Sequence, residues 1–215
     1  RDILTVLLAN RDQQGLDDDM ILREVAFFMQ AGAHSSANAL THSFHEIQTW
    51  CEQHPNDTEK LLADTEFLQR CVHESLRLHP ASPVAWRKAE TTFELPNGEC
   101  VEAGEGVLID LMSANLEKDI FGPDAEIFNP YREVADRVPP FGLTFGIGIH
   151  TCFGRDIAGG LLERKKSSAS PHLGTLTNLL RSLLCHEARP EPGNPPETDT
   201  ATERRNWGHY PLIFG

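Results

Sequence analysis

The chain has 215 residues, enough for one good hydrophobic core or two small ones. Hydrophobic residues make up 40% and charged residues 24%, and the net charge of −13 argues against nonspecific binding to nucleic acid or anionic membranes. The five cysteines, Cys51, Cys71, Cys100, Cys152 and Cys185, are odd in number and show no C-x-x-C pair, which argues against a disulfide framework or a zinc ribbon and for a reducing compartment.

RDILTVLLAN opens in a helical pattern without a methionine. No run is apolar enough for a membrane span and no signal peptide opens the chain, so a cytoplasmic location is expected. LDDDMILREVAFFMQAGAHSSANALTHSFHEIQTWCEQHP predicts one long helix from Asp17 to Gln53. Asp17, Asp18 and Asp19 suit its N-terminus as caps and against the helix dipole, and His54-Pro55 stops it. Such a helix is about 55 Å long. Its middle is a window of small residues, Ala31, Gly32, Ala33, Ser35, Ser36 and Ala37. Gly32 costs about 1 kcal/mol there relative to alanine. The window admits close approach either of a ligand or of another helix, and both readings stand.

Shorter helices are predicted over DTEKLLAD and TEFLQRCVHESLRLHP, the second ended by Pro80. PVAWRKAETTFELPNGECVEAGEGVLIDLMSANL reads as strands and hairpins around a Pro-Asn-Gly turn. FGPDAEIFNPYREVADRVPPFG reads as an ordered loop. A helix is predicted after Cys152, roughly to Arg164, followed by the polar interruption KKSSASPHLG and a helix over LTNLLRSLLCHEA. RPEPGNPPETDTATERR reads as a partly mobile loop, and WGHYPLIF as a closing strand. The fold class is mainly α with small β-sheets.

Cys152 stands between Gly148 and Gly154, just before a predicted helix whose dipole and free amides would favour a thiolate. The glycines allow a tight turn and close approach of a bulky flat group. Four readings are open. A nucleophile would need a base, and His150, two residues away in a tight loop, need not face the sulfur. Zinc needs more ligands than His150 and Cys152 supply. Haem iron needs only one protein ligand, because its macrocycle supplies four. The fourth reading is a buried, inert cysteine.

Phe145-Gly146-Ile147-Gly148-Ile149-His150-Thr151-Cys152-Phe153-Gly154 resembles the haem-binding loop of the cytochrome P-450 superfamily, F-G-x-G-x-H-x-C-x-G. Three more segments resemble the family's motifs and follow in its order. Ala31-Gly32-Ala33-His34-Ser35-Ser36 is similar to the A-G-x-D/E-T-T centre of the distal helix, Glu74-Ser75-Leu76-Arg77 to E-x-x-R, and Phe128-Asn129-Pro130-Tyr131-Arg132 to F-x-P-x-R. The ending WGHYPLIF looks like the family's last strand. The resemblance covers residues 1–215 but only the C-terminal half of the family's fold, so the N-terminal half is expected to be absent. His150, two before the cysteine, resembles the bacterial type.

The resemblance implies haem b with Cys152 as the proximal thiolate ligand to iron. It implies that Gly146, Gly148 and Gly154 let loop amides approach the sulfur, that Phe145 packs beside haem and thiolate, and that His150 and Arg87 meet the haem propionates. Glu74, Arg77 and Arg132 would form a structural lock behind the loop. In the distal helix His34 takes the acid position and Ser35 the threonine position, with Ser36 next. That pair helps deliver protons during oxygen activation in the family. Three readings follow: His34 is a working relay, or it is structural and the proton comes through water and Ser35, or the enzyme uses peroxide or rearranges its substrate.

The implied function is a monooxygenase inserting one oxygen atom into a small apolar organic substrate, with electrons from a ferredoxin or flavodoxin-type donor. Arg155 and the trio Arg164-Lys165-Lys166 would offer that donor a basic surface. A peroxide-driven or isomerising haem-thiolate enzyme, and a catalytically silent haem-binding or degenerate fragment, are the alternatives. Without the other half of the fold, haem would have one wall only and the long helix would expose apolar surface. The 215-residue chain expressed alone is therefore expected to bind haem poorly. Titration with haem checks this, and tight stoichiometric binding by a stably folded chain would contradict it.

Overall fold

The structure is a computed structural model that describes residues 2–161, 172–202 and 204–215. It divides into two compact units, Arg1–Asn38 and Ala39–Gly215.

The first unit holds α1 (Ile3–Ala9), α2 (Arg11–Gln14) and the opening of α3 (Asp18–Gln53). Asp2 caps α1 by accepting from the Thr5 amide at 2.7 Å, and Gly15, at φ +63°, closes α2. The expected long helix is present. Asp17 caps it by accepting from the Met20 amide at 2.7 Å. Leu22, Phe27 and Met29 on this stretch are more than half exposed.

The second unit begins on the same helix, where Phe44 and Ile47 enter the core. α4 (Asp57–Ala63) and α5 (Thr65–Leu78) follow. The Asp64 carboxylate caps α5, accepting from the amides of Glu66 and Phe67 at 3.0 Å each. Residues from Phe67 to Leu78 are buried almost without exception, including the polar His73, Glu74, Ser75 and Arg77. α5 is thus the central helix of this unit.

β1 (Val84–Lys88) pairs antiparallel with β4 (Gly106–Asp110), and between them β2 (Phe93–Glu94) pairs with β3 (Cys100–Val101) around the expected turn, where Gly98 has φ +87°. The predicted hairpin region ends sooner than its sequence suggests. Leu111–Asn115 is a helix, α6, because the Asp110 carboxylate caps it by accepting from the Ser113 amide at 2.9 Å and hydroxyl at 2.7 Å. A second short helix, α7 (Lys118–Phe121), precedes an ordered loop.

The helix after Cys152 is also shorter than predicted. α8 (Arg155–Gly159) stops where Gly160 adopts φ +79° and packs against the chain's return. A Cβ on Gly160 would lie 2.6 Å from the Gly174 nitrogen and 2.7 Å from the His172 oxygen. The rest of the predicted helix, and Arg164, Lys165 and Lys166, lie outside the described residues. α9 (Thr175–Cys185) follows as expected.

The C-terminal segment departs from the sequence reading. WGHYPLIF is two strands, β7 (Trp207–His209) and β8 (Leu212–Ile213), broken at Pro211, which has no amide to donate. Their partners β6 (Glu197–Thr198) and β5 (Arg189–Pro190) fall in the stretch read as loop.

A cluster of imidazoles joins α3, α5 and β7 within the second unit. His42 stacks on His79 with ring centroids 4.2 Å apart and lies 6.4 Å from Trp207. His45 Nδ1 is 3.1 Å from the Tyr210 hydroxyl, and His79 Nε2 is 2.7 Å from Glu46. Burial, and then the neighbouring His79, push the pKa of His42 from its ordinary 6.5 down to about 4. His42 therefore stays neutral in the folded chain where the unfolded chain takes up a proton. The resulting stability is complete above about pH 6.5 and is lost as pH falls toward 4. Urea unfolding at about pH 7 and about pH 4.5 is expected to differ by a component on the order of 2–3 kcal/mol that His42→Phe removes. An unchanged pH dependence in the variant would contradict this.

Candidate functional site

The site is built outward from a buried cation. Arg77 has no exposed side-chain surface. Its Nε and Nη2 donate to the two Glu74 carboxylate oxygens at 2.8 and 2.7 Å, and its Nη1 donates to the Asn115 and Ala125 carbonyls at 2.7 Å each. Arg132 Nε donates to Glu74 Oε1 at 3.0 Å, and the Asn129 amide donates to the same oxygen at 3.1 Å. Arg132 is held in turn by the Asp124 carboxylate at 2.7 Å and by the carbonyls of Phe121, Asp124 and Ile127. Hydrogen bonds from Arg132, and then from Asn129, keep Asp124 below the usual carboxylate range. Glu74, Arg77 and Arg132 thus come together as the sequence implies.

Asn115 carries this order toward the thiol. It is fully buried and donates to Arg77 O at 3.0 Å and to the Thr144 hydroxyl at 3.1 Å. Its Oδ1 accepts from the Leu143 amide at 2.7 Å, while Thr144 donates to Leu76 O at 2.6 Å. Gly142, at φ +58°, lies so close that a Cβ there would sit 2.2 Å from Asn115 Oδ1. Sequence reasoning missed Asn115, Asp124 and Thr144.

Beyond Thr144 the chain turns back on itself. Gly146, at φ +67°, lies against the His150 carbonyl, which a Cβ would meet at 2.9 Å. A single 3-10 turn runs over Gly148–His150, and Gly148 also has positive φ. The Cys152 amide donates to Phe145 O at 2.8 Å and closes the loop. Phe145 packs edge-to-face on Phe141, with centroids 5.0 Å apart. Gly154 passes under the sulfur, at 3.7 Å from a notional Cβ to Sγ.

Cys152 is exposed, not the buried inert cysteine of the fourth reading. Ile149 is 96% exposed and Phe153 93%, so the loop that carries the thiol also presents apolar side chains to solvent. Among the described residues no three His, Cys, Asp or Glu side chains converge as a metal-binding group. One exposed sulfur on a glycine loop that also exposes apolar side chains fits a flat apolar macrocycle that brings its own four ligands to the metal.

His150 is exposed beside the loop, and Arg87, on β1, donates to the neighbouring Trp86 carbonyl at 2.7 Å. No contact joins these two. His34, Ser35 and Ser36 belong to the first unit. The Ser35 hydroxyl donates to Ala31 O at 2.8 Å, and Asn38 Nδ2 lies 3.2 Å from His34 Nδ1. A cavity of about 310 Å³ is lined by Glu74 and Arg132 themselves, with Arg70, His73 and Pro140 among others, and by no residue of the thiol loop 145–154.

Removing one member of the buried pair strands its partner. Arg77→Ala is expected to lower the stability of the chain by about 3–5 kcal/mol, and Arg77→Lys to recover little of it, since a lysine cannot serve both the carboxylate and two carbonyls. Asp124→Asn, at a carboxylate 40% exposed, is expected to cost much less. Denaturant unfolding of the three variants checks the order.

Comparison with known proteins agrees with this geometry. The family described as Cytochrome P450 matches residues 1–160. The chain is 30% identical over 182 residues to Cytochrome P450 4F11 of Homo sapiens, covering 73% of this chain and 34% of that protein. It is 30% identical over 181 residues to the self-sufficient cytochrome P450 monooxygenase CYP505E5 of Aspergillus niger, covering 73% and 17%. Its fold matches the crystal structure of a cytochrome P450 (CYP102L1) with a TM-score of 0.74 at 22% identity, covering 98% of this chain and 49% of the other. The chain spans about a third of the human relative and about half of the solved one. With the family match extending through the central helix to the end of the thiol loop, the chain belongs to the cytochrome P-450 family.

Proposed function

We propose that the protein to which this chain belongs is a haem-thiolate monooxygenase acting on an apolar organic substrate, with haem b held by Cys152 and electrons supplied by a ferredoxin or flavodoxin-type protein. The observation that carries the reading is the exposed Cys152 thiol on a loop closed by the hydrogen bond from its amide to Phe145 O, with exposed Ile149 and Phe153 on the same loop. Bound haem would supply the activation of oxygen and its transfer to substrate. The chain's own residues do the rest. The loop holds the sulfur in one place, and the buried Glu74–Arg77–Arg132 lock keeps the loop from yielding. Arg87 and His150 would hold the propionates by charge-assisted hydrogen bonds.

Ser35 keeps a hydroxyl whose lone pairs remain available to accept while its O–H donates a hydrogen bond to Ala31 O. His34 has a ring nitrogen facing Asn38, and can pass a proton only through its other nitrogen. The absence of a carboxylate at position 34 favours a second reading, in which peroxide drives the reaction or the substrate is rearranged. Donor docking draws on Arg155, whose Nε donates to Asp156 at 2.8 Å. A cytoplasmic location is part of the proposal and is supported by five cysteines that are all free thiols.

The test uses the longest form of the protein. Its reduced, carbon monoxide-bound spectrum is expected to carry the thiolate signature, and Cys152→Ser to abolish it. A spectrum unaltered by the substitution would refute the assignment. NAD(P)H consumption with an added donor, compared with turnover on peroxide, separates the two oxygen chemistries.

A further inference from the structure

A helix leaves its last carbonyls without partners inside the helix. α8 ends after only five residues, directly behind the thiol loop, so its open carbonyls lie where the chain is buried. Two side chains of α5 meet the chain there, His73 at the last helical residue and Gln69 two residues beyond it. His73 Nε2 donates to Gly159 O at 2.7 Å, and Gln69 Nε2 donates to Leu161 O at 3.3 Å. Positions 69 and 73 are one helical turn apart on α5 and share a face. The His73 bond is the shorter of the two, and its ring is only 3% exposed.

The same imidazole reaches the thiol loop by a second path. Its ring stands edge-to-face on Phe141, with centroids 5.5 Å apart, and Phe141 stands edge-to-face on Phe145. Phe145 presses against Gly159, where a Cβ would meet its ring at 3.2 Å. Phe145 O is also the acceptor that fixes the Cys152 amide. His73, Gly159, Phe145 and Phe141 therefore close a ring of contacts. One side of that ring leads through the first turn of α8 to Cys152, whose carbonyl accepts from the Arg155 amide at 3.2 Å.

We propose that His73 is a positioning residue for the thiol loop: by capping Gly159 and bracing Phe141 it sets where the Cys152 sulfur stands. A carbonyl only accepts, so the hydrogen must be on Nε2 and the neutral ring must be that tautomer. Burial holds the pKa of His73 below its ordinary value, which keeps the ring neutral. For iron the inference rests on the haem-thiolate reading above, but its first two measurements do not need haem.

Nitrogen NMR of the wild-type chain is expected to find His73 as the Nε2–H tautomer, and the Nδ1–H tautomer would overturn the proposal. In the haem-free protein, His73→Leu is expected to speed exchange of the Ala158 amide about tenfold, with His73→Gln, which keeps a donor, recovering most of the protection. In the haem-loaded full-length protein the leucine variant is expected to shift the reduction potential and weaken the thiolate signature of the carbon monoxide complex. The glutamine variant is expected to restore both. A leucine variant that is less stable but spectrally and electrochemically unchanged makes His73 a packing residue only and overturns the proposal. So does a glutamine variant no better than leucine. Should the leucine variant not fold, the tautomer and the glutamine variant decide. A wild type lacking any thiolate spectrum would refute the haem reading, while tautomer and exchange still judge the link from His73 to α8.

Discussion

The guanidinium of Arg77 has no contact with solvent, and a cation can sit there only if its donors all find acceptors. Glu74 supplies the charge and two oxygens, and the carbonyls of Asn115 and Ala125 supply the rest. Those carbonyls belong to α6 and to the loop after α7, segments that reach the core only through single side chains such as Leu111 and Phe128. Hydrophobic burial anchors them at those side chains and leaves the backbone between to polar bonds. Their path is fixed because a buried arginine left unsatisfied costs several kcal/mol. The pair is thus better understood as specifying one arrangement of the loop than as adding net stability.

From that cation, order passes along the chain by short, directional bonds. Asn115 accepts nothing from solvent and spends both ends of its amide on Arg77 O, Thr144 and Leu143 N. Gly142 has no Cβ because Asn115 occupies the space, and Gly146 has none because the His150 carbonyl does. The glycines are therefore here for close approach as much as for positive φ. The thiol stands at the end of this series, outside the core yet tied to it.

Local rules recovered what local chemistry decides. The acidic cap and the Pro55 stop gave α3 to within a residue, and the Pro-Asn-Gly turn placed the inner hairpin. The i,i+3 spacing of Glu74 and Arg77, and the ten-residue pattern ending at Gly154, marked the lock and the thiol loop. Four features escaped because tertiary packing decides them. α6 looks like strand until Asp110 is seen to cap it. α8 looks longer until Gly160 is found pressed against Gly174. β5 and β6 are too short to show a period of two, and exist only because β8 and β7 lie beside them. Asn115 carries no signal at all, being an ordinary asparagine after an alanine, and its partners are distant in sequence.

The loop and its apolar side chains divide the work of holding a ligand. The loop contributes rigidity, since two residues with positive φ and the hydrogen bond from the Cys152 amide to Phe145 O leave the sulfur little freedom. The side chains contribute free energy. Ile147, Ile149, Phe153 and Ile157, on the loop and helix that flank the exposed thiol in sequence, are each at least 66% exposed. Burying an isoleucine or a phenylalanine fully is worth roughly 1.5–3 kcal/mol, so a flat apolar ligand covering even half of this surface gains several kcal/mol before any bond to sulfur forms. A ligand that stays, and that meets the protein through one fixed sulfur and a broad apolar face, is what this arrangement favours.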